Sequence, residues 1–476
     1  MPQLPPRPAA RKAGAPGGTL FSSTANLANT LIGSGALATP GAFRHTGLIP
    51  GAALICWCAA TSAAGLLLLV ACARTVGGRQ QSFGSLAQRA IPRAARLFNL
   101  AIALKCYGVS ISYLIINGQL MPQVVLSFAK LAGTSAEELP HWTLDRNVWI
   151  LVFMILLVPF CFLRRLDSLR HTSYLSLIAV LYLVLIVVLY SLPSHKATLP
   201  PPGDVYWFNI DGHHFVGIFP VFVFAFTCAQ NCLPVYNELA ARHDRHFERM
   251  KTAIYGAIGA AACVYLLVGV LGYASFGSAV GSNIIAMYPN DGVVCFARIA
   301  IVILVAFSYP LQVHPCRAAI DKVFTRTPRP EELPATAAQQ EETQAESHER
   351  LLPDGDEPEA EDEPEEMAIG RWCLITGVIL ASTFTISLLI DDLGLVLGFV
   401  GSVGSTTISF ILPGILYSVL HRDERGNRFL RPAQLLALYG IIVLALCLSA
   451  NIVKLVQAGT PDARADRIAA LVEGGR

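Results

Sequence analysis

The apolar residues of this chain are gathered into continuous blocks about 20 residues long, the length at which an α-helix crosses a hydrocarbon layer ~30 Å thick. Eleven blocks can be marked, at approximately 20–42, 48–72, 97–128, 147–164, 171–191, 213–235, 252–275, 293–316, 370–390, 393–419 and 432–455. In lipid no water satisfies a backbone amide, so each block must pair its N–H and C=O groups internally and be helical. Charge agrees: 14% of the 476 residues are charged and 54% are hydrophobic, where a soluble domain carries about 25% charged residues. The expected fold is an all-α integral membrane protein with eleven transmembrane helices. The third block exceeds what a bilayer needs, so it must tilt or run beyond the membrane.

Basic residues orient the spans. With the N-terminus in the cytoplasm and the loops alternating, 25 of the 35 Lys and Arg fall on the cytoplasmic side and 8 on the other, with Lys105 and Arg298 inside spans. A wrong span count would scramble that bias, so it supports eleven. Residues 1–18, rich in Pro, Gly, Ala and Arg, read as a disordered cytoplasmic tail with no signal peptide before the first span. Spans one to eight occupy 19–324 and spans nine to eleven 369–456, separated by a loop over 325–368 and followed by a tail over 457–476. Within the loop, 331–366 holds fifteen Asp and Glu against the single Arg350, and like charges hold such a segment open. It reads as a solvated cytoplasmic linker. Sorting or regulatory partners are the other reading, with Leu351-Leu352 beside Glu349 a weak sorting-signal candidate.

Chemistry must come from within the membrane, so irregular spans matter most. Span one crowds Asn26, Asn29, three Thr, Gly33-Ser34-Gly35 and Pro40 into one crossing. Glycine costs ~1 kcal/mol per helical position and proline ~3, so an unbroken helix is disfavoured. At a break, the free amides of the second half-helix point a partial positive charge into the gap, where a carboxylate can bind. Close helix packing would account for Gly33 and Gly35 but not for the two Asn. Span six carries the matching anomaly: Thr227, Gln230 and Asn231 precede Pro234, which removes a backbone donor. The two lie five spans apart. That is the relation expected of a five-plus-five inverted repeat with broken helices 1 and 6 and one additional C-terminal helix, with a transport site at the breaks.

The remaining polar residues are less telling. Cys56, Cys58, Cys228 and Cys232 lack companion ligands and read as small packing residues rather than a metal site. No catalytic constellation stands out, and nothing directs the chain to nucleic acid. Lys105 is a functional candidate by its position in span three, but it lies towards the cytoplasmic end, where its stem can snorkel outward. Arg298 reads as a snorkelling anchor near the opposite surface. Glu238 reads as a gate or loop salt bridge, and Asp391 and Asp392 as solvated turn residues. No Asp or Glu lies deep in a span, so a cationic group on any bound substrate would lack a partner, which favours neutral substrates.

The run Asn26-Leu27-Ala28-Asn29-Thr30-Leu31-Ile32-Gly33-Ser34-Gly35 resembles the first span of the amino acid/auxin permease family. That family includes sodium-coupled neutral amino acid transporters and fungal vacuolar amino acid transporters. Tyr107 to Gly118, Phe224 to Leu239 and Ser308-Tyr309-Pro310-Leu311 through Pro315-Cys316-Arg317 agree with it, in order and spacing. The resemblance implies eleven spans and coupled amino acid transport by alternating access. It places the substrate amine and carboxylate against Ile32, Gly33, Ser34 and Gly35, with Phe226, Thr227 and Cys228 as the facing wall. It implies no cofactor beyond a candidate sodium ion between the first break and Ser308, with Asn26 or Asn29 as oxygen donor. Many relatives carry His after Phe-Thr-Cys, where this chain has Ala229.

Proton coupling therefore lacks its usual histidine, while a sodium site here would hold only neutral ligands; the balance tips slightly towards protons. The rival function is an amino acid sensor that signals through the acidic loop. Absence of any Asn-x-Ser/Thr acceptor, the short loop between spans five and six and the long insertion after span eight favour a vacuolar or lysosomal membrane over the plasma membrane.

Overall fold

A computed structural model describes residues 19–77, 81–92, 95–163, 172–196, 198–210, 212–239, 245–325, 367–424 and 426–458. The tail over 1–18, the acidic stretch over 331–366 and most of the tail over 457–476 lie outside the described residues. In order the helices are α1 (Leu20–Leu31), α2 (Ser34–Phe43), α3 (Leu48–Val76), α4 (Phe83–Ala90), α5 (Ala95–Ala132), α6 (Arg146–Cys161), α7 (Thr172–Ser191) and α8 (Pro193–Lys196). They continue with α9 (Gly212–Ala225), α10 (Ala229–Glu238), α11 (His246–Phe276), α12 (Gly292–Phe324) and α13 (Ile369–Leu389). Last come α14 (Leu393–Phe399), α15 (Leu412–Leu420) and α16 (Leu430–Ala458). No β-strand occurs among the described residues.

Eight helical segments are long and apolar enough to cross a membrane, and two shorter apolar helices, Arg146–Cys161 and Ser176–Ser191, accompany them. The first apolar block is not among these, because it is divided between α1 and α2, of 12 and 10 residues. At 38 residues α5 is ~57 Å long, so the third block does overrun a bilayer.

Polarity is arranged inside out. On α16 the exposed residues Leu435, Leu438, Ile442 and Leu446 recur every three or four positions and form an apolar outer stripe. On α5 the polar Ser110, Ser112, Asn117 and Ser127 are buried instead. Small residues permit close backbone approach: Gly414 packs on the Ala433 carbonyl, and Gly41 on Gly281. Between α14 and α15 the chain runs π-helical over Val400–Ser405 and Thr407–Ile411. Gly401 and Gly404 sit there against the Pro220 carbonyl and the backbone of α5.

Acidic residues at one end of the bundle cap helix N-termini. Asp291 accepts from the Val294 amide at 2.8 Å and Asp392 from the Gly394 amide at 2.9 Å. Asp392 is thus a cap as well as a solvated turn residue.

Arg298 does not snorkel. It is fully buried, and its guanidinium donates to the carbonyls of Ile285 (3.3 Å) and Tyr288 (2.5 Å) and to Asn290 Oδ1 (2.6 Å). The loop joining α11 to α12 folds back over the cation and satisfies it with neutral oxygens, so outward extension would only break these bonds.

Candidate functional site

Two interruptions meet at the centre of the bundle. The first lies between α1 and α2, where Ile32 (φ −81°, ψ 87°) and Gly33 (φ −138°, ψ −135°) leave helical geometry. The second lies between α9 and α10 at Phe226, Thr227 and Cys228. Neither α2 nor α10 has a side-chain cap at its N-terminus. The leading amides of both half-helices therefore keep their capacity to bind an anion. Pro40 and Pro234 sit inside α2 and α10 rather than at the breaks.

Side chains from neighbouring helices satisfy the freed carbonyls. Tyr265 of α11 places its hydroxyl 2.5 Å from the Leu31 carbonyl and 2.9 Å from the Ala225 carbonyl, the last residues of α1 and α9. One donor thus serves both breaks. Ser62 of α3 donates to the Phe226 carbonyl at 2.6 Å, and Asn231 Nδ2 donates to Thr30 Oγ1 at 2.6 Å, tying α10 to α1. A Cβ at Gly35 would lie 3.1 Å from Ala225 Cα and 3.3 Å from the Tyr265 hydroxyl, so this glycine sets the approach of α2 to α9. A Cβ at Gly33 would meet nothing within 4 Å, because Gly33 opens onto a cavity.

That cavity has a volume of about 490 Å³. Of the ten residues singled out from the sequence, Ile32, Gly33, Ser34, Gly35, Thr227, Asn26, Asn29 and Ser308 line it. Phe226 and Cys228 do not: both are buried behind the wall, Phe226 edge-on to the Tyr265 ring at 5.2 Å. Sequence reasoning missed Tyr265, for which span seven offers no local signal, and passed over Gln230 and Tyr113 as lining residues. Asn29 Oδ1 and Gln230 Oε1 are buried with no hydrogen-bond partner, two acceptors left open on the wall. Among the described residues, no Asp, Glu or His lines the cavity.

Lys105 also lines it, against the expectation that it snorkels. Leu97, Leu100 and Leu104 form the outward stripe of α5, and Lys105 lies off that stripe, 4% exposed. A second cavity of about 750 Å³ opens at the other end, lined among others by Ala38, Gly41, Arg44, Asp391, Asp392 and Lys454. The two cavities share no lining residue. Between them stand Ala36, Leu37, Phe222 and Val223, each no more than 3% exposed. Glu238 is exposed and lines neither cavity.

Paired helix interruptions around a central cavity, in a bundle of helices long and apolar enough to cross a membrane, define a polytopic α-helical membrane protein. The chain belongs to the transmembrane amino acid transporter protein family, whose pattern it matches over residues 16–457. It is 38% identical to vacuolar amino acid transporter 5 of Schizosaccharomyces pombe over 91% of this chain and 94% of that protein. It is 32% identical to vacuolar amino acid transporter 6 of Saccharomyces cerevisiae, over 91% and 98%. Sodium-coupled neutral amino acid transporter 7 of Xenopus laevis is more distant, at 26% identity over 90% of this chain and 86% of that one. In fold the chain is similar to the inward facing conformation of Mhp1, with a TM-score of 0.53 at 15% identity over 96% of each chain.

Proposed function

We propose that this protein is a secondary active transporter of neutral L-amino acids, working by alternating access and driven by a proton gradient in preference to sodium. On this reading α1 with α2, and α9 with α10, are each one interrupted crossing. That gives eleven crossings, ten of them in two inverted sets of five, with the N-terminus in the cytoplasm of a cell whose vacuolar-type membrane holds the protein. The observation that carries the reading is a cavity built on two helix breaks, with a second cavity that shares none of its lining residues beyond a packed wall. A carrier needs a site exposed to one side at a time, and here a packed wall separates the two openings.

The substrate carboxylate would take the uncapped amides at Ser34 and Gly35, and the ammonium would take Asn29 Oδ1 and Gln230 Oε1. Phe226 and Cys228 would support that site from behind. With no carboxylate among the described residues of the wall, a cationic side chain would be buried unpaired, so neutral substrates fit better. Lys105 shares the cavity with Asn26, Asn29 and Ser308, and its charge would repel sodium at those oxygens. This is the ground for preferring protons.

The test is uptake into proteoliposomes across a panel of amino acids, with proton and sodium gradients imposed separately. Accumulation of neutral amino acids under an inward proton gradient is expected. Accumulation under a sodium gradient with pH clamped would overturn the coupling, and failure to move any amino acid would overturn transport.

A further inference from the structure

Lys105 presents an unresolved charge. Its side chain is 4% exposed and lies on the cavity wall, and among the described residues it makes no hydrogen bond and no ion pair. Its stem has little freedom to leave. A Cβ at Gly404 would come within 2.8 Å of Lys105 Cα, so the π-helical stretch is closely packed against the base of this residue. Widened helical turns of this kind recur at functional sites. The fixed base and the inward face together hold the amine at the cavity.

Among the described residues, the groups around it supply no fixed counter-charge. The thiols of Cys106 on its own helix and Cys228 at the second break are within electrostatic reach. The π-helical stretch, with Gly404 against the stem, contains no charged or titratable residue. On the wall α12 contributes Ser308 and Gln312, α1 and α10 contribute amides and a hydroxyl, and Tyr113 is the other titratable group on α5. Helices α4, α6 and α13 put no side chain on the wall at all. Cys316 of α12 is occupied with the Ala103 carbonyl at 3.4 Å.

We propose that Lys105 carries the coupled proton, an inference that rests on the transport reading of the cavity. An isolated ammonium cannot be enclosed without water or an anion. When an amino acid occupies the cavity, its carboxylate supplies the missing anion, and the loaded carrier can close around a protonated Lys105. After the substrate leaves, closing the empty carrier strips water from a lone cation. The ammonium therefore first gives its proton to water on the receiving side, leaving a neutral amine, and regains one from water on the supplying side. One proton crosses with each zwitterion, and each cycle moves one positive charge.

The experiment uses the full-length protein in proteoliposomes and compares three variants in two assays. These assays are net uptake under an imposed pH gradient and exchange of labelled for unlabelled amino acid. Lys105→Gln can return empty without a proton, so it should equilibrate substrate but lose accumulation and its response to pH. Lys105→Arg stays charged, so it should still exchange but lose net uptake. Lys105→His should regain pH-driven accumulation with its midpoint shifted to lower pH, which a purely structural role would not produce. Accumulation by the Gln or Arg variant under a pH gradient would overturn the proposal, as would failure of all three to exchange despite a monodisperse elution profile. If the wild type itself ignores the pH gradient and follows sodium, the proposed coupling fails first, and the variants are then not needed to reject this role.

Discussion

Two buried cations in this protein are treated in opposite ways. Arg298 lies at the turn between α11 and α12, where two loop carbonyls and the Asn290 side chain converge on it. Lys105 lies in the central cavity with no such partners, beside the open acceptors of Asn29 and Gln230. A buried charge is tolerated where the protein supplies its hydrogen bonds, and then it serves as scaffold. Where charge and acceptors are left unmet, the proposed amino acid would meet them. The region around Arg298 is complete as it stands, and on the proposed reading the cavity is completed by its substrate.

The sharpest way to break this contrast is to substitute each region and separate stability from transport. Gly35→Val should abolish uptake, because even its Cβ would press on the Ala225 backbone at 3.1 Å. Gly33→Val should abolish uptake as well while leaving thermal stability near wild type, since its side chain enters open cavity rather than packed wall. Unchanged uptake by both, measured in proteoliposomes, would remove the binding role of the break.

Arg298→Met should act the other way round. It strands the carbonyls of Ile285 and Tyr288 and the Asn290 side chain, for a loss of roughly 3 kcal/mol, readable as a lower unfolding midpoint in detergent. A midpoint within a degree or so of wild type would show that the loop does not depend on the cation.

Tyr265→Phe lies between the two cases, since its hydroxyl belongs to the scaffold yet touches both breaks. We expect a loss of about 1–2 kcal/mol and a slower transport rate with little change in the substrate concentration for half-maximal uptake. A large change in that concentration instead would place the hydroxyl in the binding site.

The smallest effect is expected from deleting residues 333–366, which should leave the rate of reconstituted protein within about twofold, because a composition this acidic and poor in apolar residues favours no packed core. Complete loss of flux by correctly inserted protein would give the segment a regulatory role.

Much of this was legible in the sequence. Block length and composition mark the apolar helices, and Gly33-Ser34-Gly35 marks the first break because local backbone preference decides both. Thr227 and Gln230 similarly mark the second break, although Pro234 lies beyond it inside α10. Side-chain direction was less legible. Lys105 and Arg298 look alike as single charges in apolar runs, and only tertiary packing tells which is clothed by a loop and which faces a cavity. The Leu97, Leu100 and Leu104 stripe did hold a clue to the face of Lys105. Tyr265 had no clue, because its role comes from two carbonyls exposed by breaks in other helices.

The wall between the two cavities has an electrical consequence. Along α2 one cavity reaches Gly35 and the other begins at Ala38, a helical rise of only ~4.5 Å. Wherever aqueous space penetrates from both faces, the transmembrane voltage no longer falls over the whole hydrocarbon thickness. It falls mainly across the insulating plug of Ala36, Leu37, Phe222 and Val223. A full membrane potential of 100 mV, worth ~2.3 kcal/mol per unit charge, is then concentrated on a few residues. The field is then strongest at the wall that the proposed transport cycle would open.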